Sequence, residues 1–266
     1  SMYRCHTLTT VAATILFAQG SAQANNAPYS TGVDTDYPKH VFFGDLHLHS
    51  NTSADAHSMG NLLLTSADAY RFARGEKVVA SNGLPAQLKR PLDFLSVTDH
   101  AEFMGIYRMF TIQDPRLMAS RLGKAWLSRY DTKPDPNESD PTRAAARNPI
   151  AAFVNSINDP NAERDAYPTE LKSAIWTDVA RTADEFNSPG IFTAFTGYEW
   201  TAMRNGNNLH RCVILKDSAE VAAGWLPYSA QSSSNPEDLW AALTHYEQIT
   251  GGEALSIPHN GNLSNG

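Results

Sequence analysis

The sequence predicts an α/β fold, because short β-branched and aromatic runs alternate along the chain with segments of helical periodicity. Nearly every such run stops at a histidine or an acid, and no internal repeat interrupts the order. With 266 residues, 42% hydrophobic and 18% charged, the chain is long enough to bury a barrel core.

Residues 1–24 stand apart. Arg4 precedes an apolar run from Leu8 to Phe17, and Ala22-Gln23-Ala24 supplies the small-x-small pattern of an export cleavage site, so a signal peptide ending at Ala24 is expected. The run is too short to span a bilayer, which disfavours a stable membrane anchor. Loss of these residues removes Arg4 and no acid, taking the formal charge from −7 to −8. Such acidity argues against a nucleic-acid partner, since phosphate contacts need Lys and Arg. Cys5 leaves with the leader and Cys212 remains alone, so no internal disulfide is expected and the compartment reads as periplasmic or secreted.

Residues 25–39, rich in Asn, Pro, Ser and Asp, read as an N-terminal arm. A strand over 41–46 runs into His47-Leu48-His49, where residues two apart point to one side of a strand and two imidazoles can grip one metal ion. A polar loop containing Asp55 and His57 leads to a helix over 62–74, and 75–91 is a turn-bearing excursion. The second strand, 92–98, meets Asp99-His100 and Glu102, followed by helix over 101–118 with a break near Pro115. Four prolines mark a loop or insertion near 131–149.

The periodicity of Leu171, Ile175, Val179, Ala183 and Phe186 predicts a helix over 169–187, stopped by Pro189-Gly190. A third strand over 191–196 ends at Gly197-Tyr198-Glu199-Trp200, and a fourth begins at His210. Asn235 and Pro236 open a helix with Leu239, Leu243 and Tyr246 inward, and the fifth strand, 254–257, ends at Pro258-His259-Asn260. Trp176, Trp240 and Tyr246 read as core.

His47, His49, His100, Glu199, His210 and His259 thus lie nearly all where an apolar strand stops, and the C-terminal ends of successive strands converge on one rim of an α/β barrel. These donors exceed the need of one tetrahedral ion, so two or three divalent ions sharing a carboxylate are expected. Each residue has an ordinary alternative: Glu199 capping a turn, His210 a satisfied core histidine, His259 shaping a loop. Joint placement favours the shared site. Asp45 and Asp99 point to the face opposite their histidine neighbours and are expected to orient imidazoles rather than bind an ion.

Asp45-Leu46-His47-Leu48-His49, Thr98-Asp99-His100, Gly197-Tyr198-Glu199 and Pro258-His259-Asn260, in that order, resemble the motifs of the PHP (polymerase and histidinol phosphatase) superfamily of metal-dependent phosphoesterases. The longer opening Phe42-Phe43-Gly44-Asp45-Leu46-His47 is similar to an exported branch known only as a domain of unknown function. The resemblance covers residues 40–266 and implies a distorted (β/α)7–8 barrel binding up to three ions of zinc, iron or manganese. It implies that His47 and His49 hold a first ion, that Glu199 bridges two, and that His100 and His259 serve the second, with His210 a further ligand. It places Asp55, with His57 as the competing choice, on a third.

The superfamily's last Asp-x-His motif is absent, and the chain stops at Gly266 where a barrel would continue, so it reads as a fragment. The implied function is hydrolysis of a small phosphorylated substrate by metal-activated water, with no side-chain nucleophile. The alternatives are a metal-dependent amide or carboxylic-ester hydrolase, or an exported metal-binding module without activity.

Overall fold

The structure, a computed structural model, describes residues 40–120, 123–124, 169–259 and 261–265. The expected leader over 1–24, the arm over 25–39 and the insertion near 131–149 lie outside these residues. Along the described chain come β1 (Gly44–Leu48), α1 (Ala54–Ser58), α2 (Ser66–Ala73), β2 (Val78–Val79), β3 (Pro85–Ala86), β4 (Phe94–Val97), α3 (Ile106–Thr111) and α4 (Pro115–Ala119). They are followed by α5 (Thr169–Phe186), β5 (Thr193–Trp200), β6 (Met203–Arg204), β7 (Asn207–Asn208), β8 (Arg211–Leu215), α6 (Ala219–Ala222), α7 (Pro236–Thr250) and β9 (Ala254–Pro258).

Five strands form one mixed sheet in the order β1-β4-β5-β8-β9. β1, β4 and β5 are parallel, whereas β8 runs antiparallel to both β5 and β9. The sequence-based expectation of a (β/α) barrel did not foresee this reversal. Its cause is local. A parallel return needs a crossover of a dozen or more residues, but the link from β5 to β8 is the short β6–β7 hairpin, which turns through Asn205 and Gly206 at positive φ.

The sheet is curled. Strands three places apart in a flat sheet stand about 14 Å apart, yet residues of β1 come within 8 Å of β8, Cα to Cα. Curling brings the end of β1 round to face β8 and β9.

Alternation along β5 sorts the two faces. Tyr198 and Trp200 point outward into the helical layer and are fully buried, while Glu199 between them points inward. Trp176 of α5 meets Tyr198 edge to face at 5.8 Å, and its indole N–H donates to the carbonyl of Ala222 at 2.8 Å. On the other side of the same layer Tyr70 of α2 stacks on Phe186 and donates to the carbonyl of Phe195. Leu239, Leu243 and Tyr246 of α7 are buried as the periodicity requires. Trp240 is not: it lies one position off that stripe and is 49% exposed.

Several boundaries shift by a few residues. β1 begins at Gly44, and Val41, Phe42 and Phe43 before it are exposed, so His47 lies inside the strand. β5 runs on through Glu199 to Trp200, past the expected stop. α2 starts only at Ser66, behind Thr65, which with Asp68 closes a capping box. Residues 101–105 form a buried turn instead of helix, with Phe103 and Gly105 at positive φ, before α3.

Candidate metal centre

One carboxylate organises the site. Glu199 is fully buried, on the central strand of the sheet, and five imidazoles approach it within 3.7 Å. They arrive by four routes. His47 and His49 come from the end of β1, His100 follows β4 and forms an isolated bridge with Glu199, His210 precedes β8, and His259 follows β9. The reversal of β8 matters here, because it sets the start of β8 beside the ends of β5 and β9, pairing Trp200 with Arg211 and Arg211 with Pro258.

The two oxygens of Glu199 serve different partners. Oε1 lies 2.7 Å from His210 Nδ1 and 2.7 Å from His259 Nε2. Oε2 lies 2.9 Å from His49 Nε2 and 3.5 Å from His47 Nε2, while those two nitrogens are 3.1 Å apart. Despite the short approach, Oε2 has no partner in hydrogen-bond geometry. Ligand atoms about 2.0–2.1 Å from a tetrahedral ion stand roughly 3.3 Å from one another. Nitrogens and a carboxylate oxygen at 2.9, 3.1 and 3.5 Å from one another, with the buried Oε2 left without a hydrogen-bond partner, match the spacing of ligands around a cation.

Among the described residues four groups of donors can hold an ion: His47, His49 and Glu199; Glu199, His210 and His259; His49, Asp55 and His100; and His47, Cys212 and His259, each with its atoms within 4.8 Å of one another. All seven sequence-predicted ligands belong to one of them. The grouping differs from the one the resemblance implies, since His259 sits with His210 and not with His100. Topology is the reason: His100 follows β4 on one side of β5, whereas β8 and β9 lie on the other. Asp55 Oδ2 is 3.3 Å from His100 Nε2. The competing His57 turns away, its Nε2 2.8 Å from the hydroxyl of Thr111.

Asp45 and Asp99 hydrogen-bond to the chain beside the histidines and not to their imidazoles. Asp45 accepts from the backbone N–H of His47 at 2.9 Å. Asp99 accepts from both the N–H and the hydroxyl of Ser50 at 2.6 Å, clamping the loop that follows His49. The partners found on ring nitrogens are instead hydroxyls, Ser53 on His49 and Thr201 on His100. The sequence reading missed both, and it missed Cys212, whose sulfur lies within 4.8 Å of donor atoms of His47 and His259. The rule that joined His47 to His49 also joins His210 to Cys212, two apart at the opening of a strand.

Electrostatics bind the cluster together. Burial raises the Glu199 pKa, but the surrounding imidazoles, His100 foremost, overcome it and hold the carboxyl far below the ordinary range. Burial likewise disfavours charge on Asp55, which is overcome by His100 and His49. The Glu199 carboxylate raises His47. His100 rises to about 9, burial being outweighed by Glu199 and Asp55. Burial, with Glu199 nearby, pushes the Cys212 thiol up to about 12, and burial lifts Glu102 to about 7.

Among the described residues no helix is long and apolar enough to cross a membrane. Neither the curated proteins nor the solved structures contain a match to this chain. A family profile matches residues 36–266, so the chain, with its histidine-ringed carboxylate, belongs to the family described as a protein of unknown function (DUF3604).

Proposed function

We propose that the protein is a metal-dependent hydrolase of the PHP type, acting on phosphoesters at a centre of two or more divalent ions. The observation that carries this reading is the division of Glu199, one oxygen to His47 and His49 and the other to His210 and His259. A carboxylate shared in this way, with a pair of imidazole nitrogens on either side, suits a pair of zinc, manganese or iron ions. Bound divalent ions supply Lewis acidity and acidify water near neutral pH.

The chain's own residues provide the rest. Glu199 spans both groups from a fully buried position, so its two oxygens cannot be drawn off by solvent. His47, with 41% of its side chain exposed, marks the mouth through which substrate enters. Arg211 turns back onto the carbonyl of His210 at 2.9 Å and Arg204 reaches Asn235, so neither is committed to the cluster as a phosphate clamp. The ordered strand-end motifs support the superfamily assignment, and the leader-like residues 1–24 support export, with a small phosphorylated molecule as substrate.

Phosphomonoester, phosphodiester, amide and carboxylic-ester probes, assayed after loading with zinc, manganese or iron, test the reading. Turnover of phosphoesters alone, abolished by a chelator, is expected. Turnover confined to amides or carboxylic esters would replace it with the other hydrolase class, and metal uptake without any turnover would leave a binding module.

A further inference from the structure

Ser53 begins α1 as its N-cap, a position where a serine hydroxyl ordinarily accepts from a backbone N–H of the first turn. Here it makes no such bond. The hydroxyl is fully buried and turned into the site instead, 2.7 Å from Asp55 Oδ1, 2.9 Å from His49 Nδ1 and 3.4 Å from the backbone N–H of His100. It contacts all three members of the His49, Asp55 and His100 group.

A hydroxyl has one proton to give. The Asp55 carboxylate can only accept, and the His100 N–H can only donate, so the Ser53 proton goes to Asp55. Toward His49 the hydroxyl oxygen must then accept, which requires the proton of the neutral imidazole to sit on Nδ1. That leaves the lone pair on Nε2, the nitrogen that faces His47 and Glu199.

We infer that Ser53 is a positioning residue that fixes the tautomer of His49, committing this imidazole through Nε2 to the ion site shared with His47 and Glu199. It follows that His49 is not a donor to an ion held by Asp55 and His100, which that group must complete from another source. This inference rests on the metal-centre reading for its purpose, but not for its test.

The test is imidazole 15N NMR of the metal-free protein at about pH 8.5, above the ordinary imidazole range, with the His49 signals identified by their loss in His49→Gln. Wild type should show His49 as the Nδ1–H tautomer. Ser53→Ala should convert it to a mixture or to Nε2–H and weaken zinc binding about 10–100-fold, while Ser53→Thr, which keeps a hydroxyl, should restore both. An Nε2–H tautomer in wild type, or an unchanged tautomer in a folded Ser53→Ala variant, would overturn the inference. A wild-type protein with the expected tautomer but no zinc affinity would instead overturn the metal-centre reading and leave the Ser53 assignment standing.

Discussion

His259 Nε2 and Glu199 Oε1 lie 2.7 Å apart, although sixty residues separate them and the strands that present them are not neighbours. β8 lies between β5 and β9, and its leading residue His210 contacts the same oxygen. Replacement of His259 by Gln should therefore remove the ion of the His210 side and spare the His47 side. Metal titration of the variant should show one class of site weakened at least about a hundredfold, on the scale of losses seen when metal sites are disturbed, with the other retained.

Binding should release protons. Glu199 with Asp55 raises His100 to about 9, so this imidazole of the metal-free protein holds a proton at neutral pH that an ion must displace, and Glu199 raises His47 in the same direction. Affinity should rise with pH from about 6 to 9. Calorimetry of zinc binding in buffers of different ionisation enthalpy measures the protons released, and a count of zero would contradict the shifts.

The same shifts set the stability of the metal-free protein. A lowered carboxyl, as in Glu199 and Asp55, stabilises the fold above the ordinary carboxylate range near 4 and loses that contribution as pH falls. A raised imidazole, as in His100, stabilises fully below about 6.5 and loses its contribution as pH climbs toward about 9. Thermal midpoints of metal-free protein should peak between about pH 4.5 and 6.5 and fall on either side. Saturating metal should move the optimum upward, since the ion takes over the role of the imidazole protons.

Gly197 stands two residues before Glu199 in β5, where a Cβ would collide with the hydroxyl oxygen of Ser96 and the carbonyl oxygen of Val213. Gly197→Ala forces β5 away from β4 and β8. It should destabilise the fold by about 1–3 kcal/mol, read as a lower urea midpoint at unchanged slope, and lower metal affinity by moving Glu199.

How far the sequence foretold this centre depends on the kind of signal. His47 and His49, Glu199 and His259 were legible because strand ends announce themselves through β-branched runs and following turns. The partition of the ligands was not, since it follows from the antiparallel course of β8, which a ten-residue link imposes and periodicity along β8 cannot reveal. The hydroxyls of Ser53 and Thr201 were hidden for another reason. Serine and threonine are common in loops and at helix starts, and their chemistry here depends on contacts, such as that of Thr201 with His100 at 2.5 Å, that no local pattern records.

The most direct test of a carboxylate-bridged centre is elemental analysis of the purified protein and of Glu199→Gln, read as metal equivalents per chain. Gln keeps the shape of Glu199 but cannot place a negative oxygen on both sides. Two or more equivalents in wild type and almost none in the folded variant are predicted. Equal metal content in the two proteins, or less than one equivalent in wild type after loading, would contradict it.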